Sequence, residues 1–332
     1  MTVLVTGGTG FIGRSLVDAL LQKGVQVGVL TRKASKVAAL WPARQVEVVV
    51  GDVTGSDPLT DACRGVETIF HLASHSPAVG EKPEAEEAMH KAVTVEGTQK
   101  LIRAAIVGGV KKLVFLSSVK AMGEGSELCL DECSAAHPET AYGKAKLEAE
   151  AVVLEAGRRG GIHVCVVRLP PVYGRENPNL LRMIQALDRR YFFSMKPVKN
   201  KRSMVHVEDV VQAALLAVES PVANQKTYIV TDGQEYSTSD VCSRICQILG
   251  RRMPRWTVPL PLLRLVARTG DLIGAGLRRR FIFNSALLHR LTSSAWYSSG
   301  KIQRELGYKP AHTIEDALTG TMEQHRRSQR AR

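Results

Sequence analysis

Short apolar runs alternate with stretches of helical periodicity along the first half of the chain. Six runs of four to six residues, rich in valine, leucine and isoleucine, predict strands at residues 2–6, 26–30, 46–50, 68–71, 113–117 and 163–168. Between them, apolar residues recur every three or four positions, which predicts helices at residues 12–23, 84–107 and 141–158. This succession is typical of an α/β protein of the Rossmann type, a doubly wound parallel sheet whose ligand crevice opens at the carboxyl ends of the strands.

The pattern changes after Tyr173-Gly174, where proline, arginine and aromatic residues become more frequent. We expect residues 1–174 to form a dinucleotide-binding domain and residues 175–324 to form a smaller C-terminal lobe that closes over the crevice. A further strand predicted at residues 227–230 returns to the main sheet, which would make the two lobes interleaved rather than sequential. Residues 325–332 are predicted to be a basic tail.

Composition is ordinary, but the charge is informative. The chain has 332 residues, of which 44% are hydrophobic and 23% charged, as in globular proteins with a sizeable core. Part of the net charge of +13 lies in residues 325–332, which hold four arginines and no acid, and part lies in Arg278-Arg279-Arg280. Such runs are usually solvated. The remainder is consistent with a polyanionic small molecule, and no motif indicates a nucleic-acid partner.

The cysteines and the N-terminus indicate a reducing compartment. None of the six cysteines forms a C-x-x-C pair or has histidines at zinc-binding spacing, so no metal site is predicted. Cys242 and Cys246 lie four apart on a predicted helix and are expected to face the core. Met1 leads directly into the first strand, and no run reaches the roughly 18 apolar residues that a spanning helix needs. We therefore expect a cytoplasmic protein without a membrane span.

The first strand–helix turn reads Thr6-Gly7-Gly8-Thr9-Gly10-Phe11-Ile12-Gly13. Glycines at Gly7, Gly10 and Gly13 have the spacing that lets backbone N–H groups approach a pyrophosphate at a helix N-terminus. A glycine triplet alone is weak evidence for dinucleotide binding, but here it follows a predicted strand and opens an amphipathic helix. The turn therefore predicts dinucleotide binding, with Thr9, Phe11 and Ile12 in the same cradle.

The second strand ends in Thr31-Arg32-Lys33, where an NAD-binding fold usually has an acid for the ribose 2′-hydroxyl. Two cations without an acid favour a 2′-phosphate, so Arg32 predicts NADP rather than NAD. The alternative is that both cations are exposed loop residues.

Two further strand ends extend this prediction. Asp52, followed by Val53, is placed to accept a hydrogen bond from an adenine amino group, although it could instead cap a helix. Leu72-Ala73-Ser74 ends the fourth strand, where small residues let the backbone lie against a cofactor.

The most specific pattern is Ser118 followed by Tyr142 and Lys146. The last two are four residues apart and therefore share one helix face. A free tyrosine has a pKa of about 10, and a nearby ammonium together with a positive nicotinamide ring would lower it. Tyr142 is thus predicted to be the general acid/base, and Ser118 to hold the same substrate oxygen.

These motifs, in this order, resemble the extended short-chain dehydrogenases/reductases of the NAD-dependent epimerase/dehydratase family across nearly the whole chain. Residues 116–124, 202–210 and 301–310 are similar to nucleotide-sugar C4 epimerases and 4-keto-sugar reductases. The resemblance implies that Arg202 grips a sugar-nucleotide diphosphate, with Arg290 as a second grip, although Arg202 could instead pair with Glu208 or Asp209. It also implies a homodimer, further cofactor contacts at Ser117, Pro170 and Val172, and a substrate contact at Asn179.

The chain departs from the family pattern at two places. The family usually has Asn-Val-x-Gly-Thr where this chain has Thr94-Val95-Glu96-Gly97-Thr98, so the usual asparagine hydrogen bond is lost or replaced. The epimerases of the family normally hold NAD, whereas Arg32-Lys33 favours NADP.

Several functions remain open at this point. One is a nucleotide-sugar C4 epimerase, and another is a one-way NADPH-dependent 4-keto-sugar reductase. A third is a hydroxysteroid or other lipid alcohol dehydrogenase, which the apolar and basic residues 259–291 would suit. A fourth is a non-catalytic NADP-sensing scaffold. The presence of both Tyr142 and Lys146 argues against it. A dehydratase is disfavoured because Ser117-Ser118-Val119 replaces the Thr-Asp-Glu usual in that branch.

Overall fold

The computed structural model describes residues 2–42, 45–55, 59–75, 82–175, 177–188, 194–195, 198–251, 257–276 and 284–330. Within these ranges the strands are β1 (Val3–Thr6), β2 (Val27–Thr31), β3 (Val46–Val50), β4 (Thr68–His71), β5 (Lys112–Ser118), β6 (Ser126–Leu130), β7 (His163–Leu169), β8 (Val172–Tyr173), β9 (Ser194–Met195), β10 (Val205–His206), β11 (Lys226–Ile229), β12 (Thr257–Val258) and β13 (Ala295–Tyr297). The α-helices in the same ranges are α1 (Phe11–Gln22), α2 (Ala34–Leu40), α3 (Thr60–Cys63), α4 (Pro83–His90), α5 (Gly97–Val107), α6 (Ala141–Arg158), α7 (Pro178–Asp188), α8 (Val207–Glu219), α9 (Thr238–Ile248), α10 (Leu260–Gly276), α11 (Ser285–Thr292), α12 (Gly300–Leu306) and α13 (Ile314–Arg330).

Seven of the described strands form a parallel sheet in the order β11-β7-β5-β4-β1-β2-β3. The predicted doubly wound fold is confirmed, and the six predicted strands begin and end within one residue of the observed ones. Every residue of β1, β2 and β4 is buried. Strands covered on both faces read as continuous apolar runs, which is why the sequence located them.

Helices cover both faces of this sheet. On one face, Leu16 of α1 and Val210 of α8 belong to a single core cluster. On the other face, Leu101 of α5 and Val153 of α6 belong to a second cluster. Helix α8 and strand β11 both follow residue 174, and β11 pairs in parallel with β7. The chain therefore returns to the main sheet near the expected strand, while the domain boundary at residue 174 stays a prediction.

The helix predicted over residues 84–107 is interrupted. Helix α4 ends at His90, a π-helical segment spans Lys91–Glu96, and α5 begins at Gly97. Both the π-helical segment and α4 contact α6. A single wide turn leaves the apolar period nearly unchanged, so periodicity alone does not show it.

The C-terminal lobe has smaller cores of its own. Ile184 of α7, Ile245 of α9 and Leu318 of α13 belong to one of them. Helix α10 packs on α11 through Leu263 and Leu288. Helix α13 continues to residue 330 and so includes most of the expected basic tail, whose side chains lie outside the described residues.

Two other sequence predictions concern the cysteines and the membrane. Cys242 and Cys246 are buried free thiols, as expected, whereas Cys129 and Cys133 are exposed. In the part of the chain that the structure describes, no helix is both long and apolar enough to cross a bilayer.

Candidate active site

The carboxyl ends of the central strands meet around a cavity of about 440 Å³. The predicted residues that line it are Gly7, Gly10, Phe11, Ile12, Gly13, Leu72, Ser74, Ser117, Ser118, Tyr142, Lys146, Pro170 and Val172. The sequence did not predict the remaining lining residues, which are Leu116, Val119, Lys120, Leu169 and Pro171. A larger cavity of about 570 Å³ lies between α1 and α8 and contains none of the predicted residues. We therefore place the site in the smaller cavity.

The glycine turn fits a pyrophosphate. Gly7 has a φ of +71°, and a Cβ there would lie 2.8 Å from the carbonyl carbon of Leu72. A Cβ on Gly13 would lie 2.3 Å from the carbonyl oxygen of Gly7, so α1 packs too closely on the turn for any side chain. Gly10 precedes α1 and provides no side-chain cap. The first N–H groups of the helix can therefore meet an anionic group, as a dinucleotide requires.

A buried histidine ties the glycine turn to the altered family motif. His71 is fully buried, with Nδ1 2.6 Å from Thr6 Oγ1 and Nε2 2.9 Å from Thr98 Oγ1. Thr98 donates its hydroxyl to the backbone carbonyl of Thr94 at 2.5 Å, so it accepts from His71, and Thr6 donates to the other ring nitrogen. Burial and the charge of Lys146 lower the pKa of His71 to about 3. His71 is therefore a neutral structural link rather than an acid/base.

The residues predicted to bind adenosine lie near one another at the ends of β2 and β3. Arg32 is exposed, and its charge acts on Asp52. Burial raises the pKa of Asp52, but hydrogen bonds from Thr54 and the charges of Arg32 and Lys100 outweigh it, so the pKa lies below its ordinary value. Asp52 Oδ1 accepts from the backbone N–H of Thr54 at 2.9 Å. Asp52 thus forms a local turn rather than a helix cap, and Val53 beside it is buried.

Two other predicted residues lie just outside the cavity lining. Thr9 is half-buried in the glycine turn. The backbone N–H of Ala73 donates to Thr6 Oγ1 at 3.2 Å, which holds the end of β4 against the turn.

Ser118 and Tyr142 both line the cavity and are hydrogen-bonded to each other. Ser118 ends β5, and Tyr142 lies in the first turn of α6, whose N-cap Thr140 accepts from Gly143 N–H at 3.2 Å. A Cβ on Gly143 would lie 2.4 Å from the carbonyl oxygen of Lys120, so this glycine lets the helix approach β5. Burial raises the pKa of Tyr142, and a hydrogen bond with Ser118 partly offsets this.

The expected lowering of the tyrosine pKa is therefore not seen in the protein alone. Lys146 is buried, and its Nζ donates to the backbone carbonyl of Leu116 at 2.9 Å. Burial lowers the pKa of Lys146 to about 8, and the charge of Glu150 opposes that shift. At Tyr142, desolvation outweighs the hydrogen bond with Ser118. The predicted lowering had also counted the positive nicotinamide ring of a bound cofactor.

Several residues that sequence reasoning missed hold these groups in place. Glu150 accepts from Ser117 Oγ at 2.5 Å and from two nitrogens of Arg168, the closer at 2.7 Å. The His90 ring lies 5.3 Å from the Tyr142 ring. Glu150 and His90 are both polar residues on predicted helices, and only their burial identifies them. The one signal in the sequence for Glu150 was its spacing of four residues from Lys146, which places both charged residues on one helix face.

Arg202 and Arg290, the two predicted diphosphate-binding residues, are not among the residues that line this cavity. The backbone N–H of Arg202 donates to Tyr236 O at 2.8 Å, and its Nη1 donates to the backbone carbonyls of Arg290 and Ser293, the latter at 3.4 Å. Burial and the charge of Arg290 lower the pKa of Arg202. The positive charges of the two guanidinium groups therefore act on each other. Asn179 lies in α7, but its side chain is outside the described residues.

The two acids that follow Arg202 closely in sequence, Glu208 and Asp209, both contact His312. Asp209 accepts from His312 Nδ1 at 2.9 Å, and Glu208 lies 2.9 Å from His312 Nε2. Among the described residues, no ion pair joins Arg202 or Arg290 to a carboxylate, and the nearby Lys201 pairs with Glu235. The predicted alternative of an Arg202 salt bridge with Glu208 or Asp209 is not what the structure shows.

Comparisons with other proteins agree with this geometry. The model of the NAD dependent epimerase/dehydratase family matches residues 3–231. UDP-glucose 4-epimerase of Vibrio cholerae is 27% identical over 326 residues, covering 96% of this chain and 94% of that protein. A 3 beta-hydroxysteroid dehydrogenase/Delta 5-->4-isomerase of Mycobacterium tuberculosis is 29% identical over 334 residues, covering 96% and 88%. The structure of MoeE5 in complex with UDP-glucose and NAD is 26% identical, with a TM-score of 0.77 and 99% of both chains covered.

The family match spans well over half of the chain and includes the glycine turn, Ser118, Tyr142 and Lys146. Sequence similarity to epimerases and dehydrogenases extends over nearly the full length. The chain is therefore an enzyme of the extended short-chain dehydrogenase/reductase type, and it belongs to the NAD dependent epimerase/dehydratase family.

Proposed function

We propose that this enzyme transfers a hydride at C4 of a nucleotide sugar of the UDP-hexose type, as an epimerase or an oxidoreductase. The observation that carries the proposal is that Arg202 Nη1 donates to the backbone carbonyl of Arg290 and that neither guanidinium has a carboxylate partner in the described part of the chain. Two neighbouring cations repel each other unless an anion neutralises them. A diphosphate suits this pair, because each guanidinium can contact two of its oxygens.

The mechanism assigns one task to each side chain. When bound, NAD(P) supplies or accepts the hydride at the sugar carbon. Tyr142 exchanges a proton with the C4 oxygen, and Ser118 hydrogen-bonds that same oxygen. Lys146 keeps a positive charge in the buried site, which favours the phenolate form of Tyr142 once its proton has left. Glu150 favours the charged form of Lys146.

The remaining predicted residues would hold the cofactor in the same cleft. Gly7, Gly10 and Gly13 would hold the pyrophosphate against α1, and Asp52 would accept from the adenine amino group. Arg32 binds a 2′-phosphate, so NADP is the favoured cofactor. An exchangeable NADPH would make the enzyme a one-way 4-keto-sugar reductase rather than an epimerase. A homodimer and a cytoplasmic location stay predictions.

A hydroxysteroid substrate is the second candidate. It is supported by the similarity to the mycobacterial 3 beta-hydroxysteroid dehydrogenase/isomerase. A neutral steroid would give Arg202 and Arg290 no counter-ion, so the two candidates differ in their need for these arginines.

We expect Arg290→Ala to weaken UDP binding at least about tenfold, or about 1.4 kcal/mol, at an unchanged melting temperature. The side chain is exposed, and only its backbone carbonyl accepts from Arg202, so truncation leaves that contact intact. Arg202→Lys should also weaken binding, because lysine lacks the two-point contact. The measurement is isothermal titration with UDP beside thermal unfolding.

The matched control is Arg159→Ala, an exposed arginine of the main domain whose loss should leave UDP affinity unchanged. Unchanged UDP affinity in both Arg290→Ala and Arg202→Lys would contradict the nucleotide-sugar proposal and favour the steroid candidate.

We expect Arg32→Ala to weaken NADPH binding about tenfold or more and to leave NADH binding nearly unchanged. Thr31 Oγ1 accepts from Lys33 N–H at 3.2 Å, so the turn that presents Arg32 is fixed by its neighbours. Fluorescence titration with both cofactors provides the measurement, and Lys23→Ala, at the far end of α1, is the control. Equal losses for NADPH and NADH, or no loss for either, would show that Arg32 does not read the 2′-phosphate.

A further inference from the structure

Helix α10 carries apolar side chains on two separate faces. Leu263 and Ala267 are buried and pack with Leu288 of α11. A second set of large aliphatic residues on the same helix is exposed: Leu262, Leu265, Val266, Leu272 and Ile273. Helical spacing places this second set on one side of the helix, where the exposed Thr269 interrupts it at one turn, and we call this set the α10 stripe.

The α10 stripe is a concentration of exposed apolar surface. Leu272 is 73% exposed and Leu265 is 60% exposed. Of the eleven large hydrophobic residues that are exposed within the described residues, five lie on this one helix. Single exposed aliphatic residues are ordinary, whereas a cluster of them on one side of a helix marks an interaction surface.

Positive charge borders the α10 stripe. Arg264 and Arg268 are exposed, lie one turn apart, and fall between the stripe and the buried face of the helix. The sequence of residues 259–291 contains six arginines and one acid, although Arg278-Arg279-Arg280 lies outside the described residues. The acid, Asp271, accepts from the backbone N–H of Ser285 at 3.3 Å, at the start of α11. The charge at this surface therefore suits an anionic partner.

We propose that the α10 stripe binds the surface of a membrane that contains anionic phospholipids. The aliphatic side chains enter the boundary of the acyl chains, while Arg264 and Arg268 extend to the lipid phosphates. The contact is interfacial and needs no spanning helix. It goes beyond the nucleotide-sugar function and does not depend on it.

A lipid surface suits the stripe better than a second copy of this chain does. A symmetric dimer formed through the stripe would bring Arg264 and Arg268 of both copies to one interface, where like charges repel. An anionic surface turns the same charges into attraction. Because α10 packs on α11, which carries Arg290, the membrane contact would lie one helix away from the proposed substrate-binding arginines.

The test is flotation of the full-length protein with vesicles of phosphatidylcholine alone, or of equal parts phosphatidylcholine and phosphatidylglycerol. We expect binding to the anionic vesicles, weaker binding to neutral ones, and weakening by salt. Leu265→Ser combined with Leu272→Ser should reduce the partition coefficient at least about tenfold. Arg264→Gln with Arg268→Gln should remove the preference for anionic lipid. Melting temperature and NADPH affinity should not change in either variant, because all four side chains are exposed.

The matched control is Leu128→Ser, an exposed leucine on β6, which should bind vesicles like the parent protein. Absence of vesicle binding by the parent protein would overturn the proposal, as would an equal loss in the Leu128→Ser control. Light scattering during size-exclusion chromatography tests the alternative that a second copy of this chain binds the α10 stripe. An oligomer that dissociates in the Leu265→Ser/Leu272→Ser variant, together with no vesicle binding, would assign the stripe to a second copy.

Discussion

Tyr142→Phe is expected to lower turnover by a factor on the order of 100 or more, with cofactor affinity and stability nearly unchanged. The substitution removes one hydroxyl from a half-buried ring and keeps the packing against His90. That hydroxyl contacts Ser118 and is the group placed to exchange a proton with a substrate oxygen in the cavity. A single phenol accounts for the effect because Tyr142 is the residue that we propose as the general acid/base, whereas the hydroxyl of Ser117 donates to Glu150 and Lys146 donates to a backbone carbonyl.

The measurement is turnover at saturating substrate, beside fluorescence titration of NADPH. Tyr173→Phe is the control, since the hydroxyl of Tyr173 is also buried but donates to Asp232 at 2.8 Å in the C-terminal lobe. Its loss should lower the melting temperature and largely spare turnover. If Tyr142→Phe turned over its substrate at the parental rate, Tyr142 would have no part in the chemistry.

The second large effect concerns stability. Glu150→Ala is expected to lower the free energy of unfolding by about 3–5 kcal/mol, the usual cost of removing one partner from a buried ion pair. Glu150 is 2% exposed and receives two nitrogens of Arg168, which is 8% exposed. Truncation would leave that guanidinium buried without its counter-ion. It would also remove the acceptor of the Ser117 hydroxyl.

Urea unfolding of the two proteins gives the free-energy difference. The control is Glu155→Ala on the same helix, because Glu155 pairs with the exposed Arg158 and Arg159. Exposed pairs contribute little to stability because solvent screens their charges, so this variant should unfold almost like the parent protein. Equal stabilities of Glu150→Ala and Glu155→Ala would show that water or another acid replaces the missing carboxylate.

The same pair affects the active site. Glu150 opposes the lowering of the Lys146 pKa, so its removal should leave Lys146 less fully charged near neutral pH. Part of the activity of Glu150→Ala should therefore return at lower pH, where Lys146 is protonated.

The sequence by itself determined the sheet and the core of the site. Strands buried on both faces must be apolar throughout, so their bounds could be read from the chain, and α6 was predicted with its observed bounds of Ala141–Arg158. The glycine turn was equally readable, because a Cβ at Gly7 or Gly13 has no space. Tyr142 and Lys146 share a helix face through local geometry alone, and local rules do not need the fold.

Only the tertiary structure decided the features that depend on burial or on distant partners. The raised pKa of Tyr142 follows from desolvation, which no spacing in the sequence reveals. Asp209 accepts a hydrogen bond from His312, 103 residues further along the chain. Arg202 instead donates to the backbone carbonyl of Arg290, 88 residues further along. The sequence favoured a ligand role for Arg202 but left open a salt bridge with Glu208 or Asp209, which follow it closely in sequence. Nearness along a chain fixes contacts only within a helix or a turn, and contacts between elements are set by how the sheet and the lobes pack.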